Sequence, residues 1–230
     1  MNKRNYQKEL DIVLEGLDHR PSLLLHSCCG PCSSYVLTYL SRYFDITVLY
    51  YNPNIYPPEE FDKRAAEQER LIAALNRDLR LPDECKGSAV MPEGSTDIKF
   101  LAGSYDPQEF FDMAAGLEDI HEGGARCFKC YELRMREAAA AARDGGYDYF
   151  TTTLSISPLK NAEKINEIGE ALEKEYGIKH LPSDFKKKEG YKQSIELSKK
   201  YDLYRQDYCG CVYSKKERDN RLGSKTEVTA

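Results

Sequence analysis

The chain has 230 residues, a formal net charge of −5, eight cysteines, four histidines and no tryptophan. That length suits one α/β domain whose core needs no disulfide staples. No apolar run approaches the ~20 residues of a membrane span, and the polar start Met1-Asn2-Lys3-Arg4-Asn5 lacks the apolar run of a signal peptide. A cytoplasmic protein without a membrane partner is expected, and there grouped thiols read as metal-binding or redox-active rather than as disulfides.

In chain order, Pro21 to His26 reads as a short buried strand. Cys32 to Leu40 has helical periodicity, and Asp45 to Tyr51 is rich in β-formers. Strand, helix, strand is the βαβ unit of a parallel sheet. Asn52-Pro53-Asn54 ends the second strand. After Pro57-Pro58, Phe61, Ala65, Gln68, Ile72, Leu75 and Leu79 fall on one helical face. Ala89-Val90-Met91 is a candidate third strand. Asp106 and Pro107 start a helix as N-cap and first residue. A strong helix runs from Cys127 through the alanines 138–142 to Gly145-Gly146. Tyr147 to Leu154 is a strand, Ser155 to Asn161 a loop, and Ala162 to Tyr176 a helix capped by Gly177. Ile178 to Leu181 reads as the last strand and Gly190 to Tyr204 as mainly helical. The expected organisation is one doubly wound domain over residues 1–222, with a helical insert around 55–135 and a disordered tail over 223–230.

Charge is uneven. Between Lys179 and Arg221 there are twelve Lys/Arg and seven Asp/Glu, leaving +5 there and −10 over residues 1–178. A basic third on an acidic body suits phosphate-backbone contact on one face, although on charge alone a solvated surface is the simpler reading.

The chemistry lies in the cysteine spacing. Cys28, Cys29 and Cys32 follow the first strand and open a helix; Cys127 and Cys130 form a C-x-x-C at another helix start. Ligands of an open parallel sheet sit at the carboxyl ends of its strands. The loops after Asn52 and Asn54 and after Thr153 and Ser155 should converge there with the thiols. Cys28, Cys29, Cys127 and Cys130 supply four thiolates, which either a [4Fe–4S] cluster or zinc accepts. The adjacent Cys28-Cys29 pair fits a zinc knuckle poorly and favours the cluster. Cys209-Gly210-Cys211 can close a strained, easily reduced disulfide, or can hold a second metal with Cys32 as third ligand. Cys85 stands alone. His26 reads as a satisfied core residue, and His19, His121 and His180 as surface residues.

The strings LLLHSCCGPCSS, YYNPNIYPPEEF, RCFKCYELRM, YDYFTTTLSISPLKN and DFKKKEGYKQSIELSKKYDLYRQDYCGCVYS resemble the epoxyqueuosine reductases of the QueH type over about Leu23 to Ser214. The resemblance implies a Rossmann-like fold of the HUP, or ATP-pyrophosphatase-like, class. It implies an oxidoreductase that converts epoxyqueuosine to queuosine at the tRNA wobble position, the last step of queuosine biosynthesis, without cobalamin. It also implies a [4Fe–4S] cluster on Cys28, Cys29, Cys127 and Cys130, a redox-active pair at Cys209 and Cys211, and a second mononuclear metal, iron or zinc. Some members carry aspartate where this chain has Cys32, and either residue is an anionic ligand. The implied partners are tRNA bearing epoxyqueuosine and an electron donor that the sequence does not identify. Tyr51, Asn52, Thr152 and Asp184 are candidates for the modified-base pocket, and Lys186, Lys187, Lys188, Lys199, Lys200 and Arg205 for tRNA phosphates. Two rivals stand beside this reading. A tRNA-thiolating ATP-pyrophosphatase would need the phosphate loop that the first strand lacks. A non-enzymatic zinc-stabilised tRNA-binding module would leave Cys209 and Cys211 idle.

Overall fold

The computed structural model describes residues 4–81 and 90–227. Five parallel strands, β1 (Ser22–His26), β2 (Asp45–Tyr50), β3 (Lys99–Ala102), β4 (Tyr149–Thr152) and β5 (Lys179–His180), form one sheet in the order β3-β2-β1-β4-β5. Leu23 pairs with Ile46 on one side and Tyr149 on the other, so β1 is the central strand. Leu23, Leu24 and Leu25 are wholly buried, as expected of a strand covered on both faces.

Among the described residues, eight α-helices flank the sheet: α1 (Tyr6–Glu15), α2 (Gly30–Leu40), α3 (Pro58–Asp78), α4 (Pro107–Ala114), α5 (Ala125–Asp144), α6 (Ala162–Tyr176), α7 (Gly190–Lys200) and α8 (Val212–Glu227). One core layer joins Leu10, Val36, Leu71, Leu75 and Phe185 from α1, α2, α3 and the segment before α7. The other packs Met135, Ala138, Ala139 and Ala142 of α5 against Ile165 and Leu172 of α6. The alanines let α5 lie close to the sheet. This is the Rossmann-like α/β architecture that the βαβ pattern predicted.

The order reverses at β1: the chain moves out to β2 and β3, then returns to β4 on the opposite side. The resulting crevice lies beyond the carboxyl ends of β1 and β4, where such folds bind ligands.

Several boundaries differ from the sequence reading. The third strand is Lys99–Ala102 rather than a strand at Val90 and Met91. Val90 donates its N–H to Asp78 of α3 at 3.0 Å, and Met91 fills the core instead; Ala89 lies outside the described residues, as does Cys85. Among its described residues the segment 55–135 carries α3, α4 and the start of α5, and it also supplies β3, an edge strand of the sheet. β4 ends at Thr152, whose hydroxyl accepts from the Leu154 N–H and turns the chain into a 3-10 helix over Thr153–Ile156. α1 carries no expectation from the sequence, and α8 continues to Glu227, into the segment 223–230 expected to be a disordered tail. His180, expected at the surface, is buried; its ring packs on Phe150 and against Gly169 of α6.

Candidate metal centre

The loop after β1 is fastened from below. The Ser27 and Ser33 hydroxyls both donate to the buried Gln68 Oε1 of α3, at 2.7 and 2.5 Å. Cys29 is the N-cap of α2, Pro31 occupies its first turn, and Cys32 follows on the same turn. The sulfurs of Cys28, Cys29 and Cys32 lie within 4.8 Å of one another, a set that could hold a metal ion. Cys28 Sγ is 3.9 Å from Cys29 Sγ and also 3.9 Å from Thr153 Oγ1, at the end of β4. Gln206 donates from Nε2 to Cys29 Sγ at 2.9 Å.

The trio shares its protons unequally. Interaction with the neighbouring Cys29 and Cys32 thiols holds the Cys28 thiol well below the ordinary range, with Lys160 and Arg134 assisting. The resulting Cys28 thiolate pushes Cys29 up to about 12 and raises Cys32. The three sulfurs therefore compete for one negative charge. That is the behaviour of an assembled ligand set, whose protons a metal displaces.

Cys127 and Cys130 lie on the first turns of α5 and form the second wall with Cys209, Cys211, Asn54, Arg126 and Arg134. The Gly123 N–H donates to Cys127 Sγ at 3.2 Å. Burial pushes Cys130 up to about 12 and raises Cys127 and Cys211. Cys209 also lines a cleft of about 270 Å³ with Cys28, Cys32, Lys160 and Arg205, so it joins the two walls. The Cys209 carbonyl accepts from Arg64 Nη1 at 3.0 Å, and the Tyr56 N–H donates to the Gly210 carbonyl at 2.9 Å. Gly210 has φ +129°, and a Cβ there would approach Arg64 and Ile55 to 3.0 and 3.1 Å. Both the backbone angle and the close approach require glycine. Ser214, on the first turn of α8, meets Cys211 Sγ through its N–H and hydroxyl, each at 3.4 Å.

The cations around these sulfurs escaped the sequence reading. Arg64, Arg126 and Arg134 are each 1% exposed. Arg64 pairs with Glu60 at 2.6 Å and Arg126 with Glu217 at 3.5 Å. Arg134 has no carboxylate partner among the described residues. Burial opposes its charge, but the nearby Cys130, Cys209 and Cys28 sulfurs raise it above the ordinary arginine range. Lys160 behaves alike: burial pulls it down, and Cys209, Cys28 and Cys32 push it higher. The buried atoms Arg134 Nη2 and Arg126 Nε have no hydrogen-bond partner. A buried cation lacking an anion is costly, so these guanidinium groups favour ionised sulfurs beside them. The spacing of four between Cys130 and Arg134 was the available signal, since it places both on one face of α5.

The structure distributes the remaining candidates unevenly. Asn52 is buried beside the thiols, donating to the Ser27 carbonyl at 2.9 Å and accepting from Arg134. The Thr152 hydroxyl is engaged by His26 Nδ1 at 2.8 Å, and His26 Nε2 meets the Tyr51 carbonyl at 3.0 Å, so His26 is a satisfied core residue. The Tyr51 hydroxyl donates to Glu109. Asp184, Lys186 and Lys187 line a separate cleft of about 660 Å³ with Arg4, Leu159 and Lys160; Asp184 pairs with Lys186 at 2.8 Å. Leu159 and Lys160 border both clefts, which therefore meet there. Lys188 and Lys200 line a different groove beside Tyr39 and Arg42, and Lys199 lines neither.

A thiol-rich centre in a cationic shell, at the switch point of a Rossmann-like sheet, defines a candidate metalloprotein of the α/β class. The family model described as epoxyqueuosine reductase QueH matches residues 23–217. Proteins named epoxyqueuosine reductase QueH from Staphylococcus epidermidis and Streptococcus pyogenes are each 41% identical over 217 residues. The alignments cover 92% and 93% of this chain, and 85% and 79% of those relatives. The Staphylococcus aureus protein of that name is 40% identical over 217 residues, covering 92% of this chain and 84% of its own length. The chain belongs to the QueH family of epoxyqueuosine reductases.

Proposed function

We propose that this chain is an oxidoreductase that reduces epoxyqueuosine in tRNA to queuosine, acting in the cytoplasm. The observation that carries the reading is the trio Cys28, Cys29 and Cys32, whose sulfurs lie within 4.8 Å of one another, with Cys209 lining both their cleft and the pocket of Cys127, Cys130 and Cys211. Family membership supplies the substrate class.

Removing the epoxide oxygen to leave an alkene breaks two C–O bonds, consumes two electrons and two protons, and releases water. Cys28, Cys29, Cys127 and Cys130 would hold a [4Fe–4S] cluster, and Cys32, with Cys209 and Cys211 across the pocket, a mononuclear iron or zinc. When bound, a cluster supplies electrons singly and a mononuclear ion polarises an epoxide oxygen. The partnerless guanidinium atoms of Arg134 and Arg126 support an anionic occupant. Before any ion occupies the second place, the Cys209 and Cys211 thiols can close to a disulfide, yielding two electrons and two protons, which is the stoichiometry of the reduction. An external donor reopens the disulfide.

The substrate's approach follows from the two joined clefts. Lys186, Lys187 and Arg4 face the outer cleft and would contact the anticodon-loop backbone, while the modified nucleoside passes Leu159 and Lys160 towards Cys28, Cys32 and Cys209. RNA loops are recognised in this manner, by phosphate contacts and by splaying a base into a pocket.

The test is anaerobic turnover of epoxyqueuosine-containing tRNA with dithionite, followed by mass analysis of the digested nucleosides. Queuosine should appear with metal-loaded protein and be absent with protein stripped of metal. No queuosine from fully loaded protein would refute the reading. Counting accessible thiols after a single turnover separates the two roles of Cys209 and Cys211: the relay predicts a loss of two, a purely ligating role no loss.

A further inference from the structure

Arg134 is a fully buried cation in the wall of the thiol pocket, and its guanidinium is only partly used. Nε donates to the Cys130 carbonyl at 3.2 Å, and Nη1 reaches Asn52 Oδ1 at 3.5 Å. Asn52 in turn donates to the Ser27 carbonyl at 2.9 Å. The chain Cys130–Arg134–Asn52–Ser27 ties the first turns of α5, which carry Cys127 and Cys130, to the loop that carries Cys28 and Cys29. Nη2 is sealed from solvent and has no partner, and no carboxylate among the described residues neutralises the charge. Arg64 and Arg126, by contrast, each have a glutamate.

A buried N–H left without a partner is unfavourable, and more so when the group is charged. An anion within the pocket removes that cost. We propose that Arg134 is a positioning residue that holds the two cysteine walls in register and directs a charge-assisted N–H at the metal centre, stabilising its reduced, more negative state. The inference rests on the reading of the cysteines as a metal centre. Charge and hydrogen bonds around the sulfurs are the means by which a protein sets such a potential.

The experiment is a redox titration of metal-loaded wild type, Arg134→Gln and Arg134→Lys, with iron and sulfide measured on each sample. Arg134→Gln should load as wild type and titrate at a lower potential. At a fixed poise its reduced-to-oxidised ratio should fall at least tenfold, which is about 59 mV for a one-electron couple. Arg134→Lys keeps the charge but loses the planar fork, and should fall between the two. A wild-type potential in fully loaded Arg134→Gln would overturn the inference. Should Arg134→Gln fail to load, Arg134→Lys decides alone: a lowered potential supports the role and an unchanged one refutes it. If wild type itself takes up no iron and sulfide, the metal-centre reading fails first, a result distinct from an unshifted variant.

Discussion

Cys130 and Cys209 are both sulfurs of one pocket, yet their surroundings assign them different work. Cys130 sits buried on α5 beside Arg134, whereas Cys209 is half-buried, shared between the inner wall and the open cleft. Cys130→Ser should therefore lose bound metal and its absorbance, while Cys209→Ser keeps most of the metal and loses turnover. Metal analysis and activity on the same two preparations check this; equal metal loss in both would erase the distinction. Gly210, between the paired thiols, carries a backbone angle that side chains resist. Gly210→Ala should cost roughly 1–3 kcal/mol, or about 2–12 °C in melting temperature for a chain of this size, and should weaken activity by shifting Cys209. A melting curve unchanged from wild type would show that the loop tolerates a Cβ.

At the scale of elements, α6 meets β5 through one contact of unusual closeness. A Cβ on Gly169 would come within 2.3 Å of the His180 ring. Gly169→Ala should destabilise the protein by about 1–3 kcal/mol through overpacking, read as a lowered denaturant midpoint. The same ring makes stability depend on pH. Burial pushes His180 down to about 3, whereas an unfolded histidine protonates near 6.5. Between those values the unfolded state binds the extra proton. The stability contribution of neutral His180 is complete above pH 6.5 and is lost as pH falls towards 3, by about 1.4 kcal/mol per pH unit. His180→Leu should flatten that part of the profile by one proton, measured as unfolding free energy against pH; an unaltered slope would contradict it.

These elements also mark what the sequence could disclose. β1, α2 and β2 were legible because a run of buried leucines, a helical stripe and a β-branched run leave one arrangement. The Asp106–Pro107 start of α4 was legible from its cap, and the Asp106 side chain does accept from the Gln108 N–H. β3 was not, because an edge strand that starts at Lys99 and exposes Leu101 carries little apolar signal. His180 was misread because burial there follows from a glycine eleven residues earlier on α6, a pairing that periodicity does not encode. The cysteine groups declared a site by spacing, but their arginine shell depends on three separate helix–loop approaches. Thr152 and Tyr51 follow the right strands, yet both are spent on internal hydrogen bonds.

For the molecule as a whole, the lysines 186–188 divide between two grooves, and of these two it is the one lined by Lys186 and Lys187 that joins the thiol pocket. Lys186 and Lys187 face the joined cleft, and Lys188 faces the other groove. Reversing Lys186 and Lys187 to glutamate should weaken tRNA binding and lower its salt dependence by about 1.4 in the log–log slope, from ~0.7 per phosphate contact. Lys188→Glu should change both much less. Fluorescence titrations over a range of salt provide the comparison, and a larger effect from Lys188→Glu would move the docking face to the second groove.

Whether the two groups of cysteines form one iron–sulfur redox centre is decided by their metal and sulfide content. The most direct measurement is iron, zinc and acid-labile sulfide per chain in protein purified without oxygen, with an optical spectrum before and after dithionite. About four sulfides and at least about four irons are expected, with extra metal at the second place and absorbance that bleaches on reduction. Zinc without sulfide, and a spectrum indifferent to dithionite, would contradict such a centre and leave the cysteines a structural role.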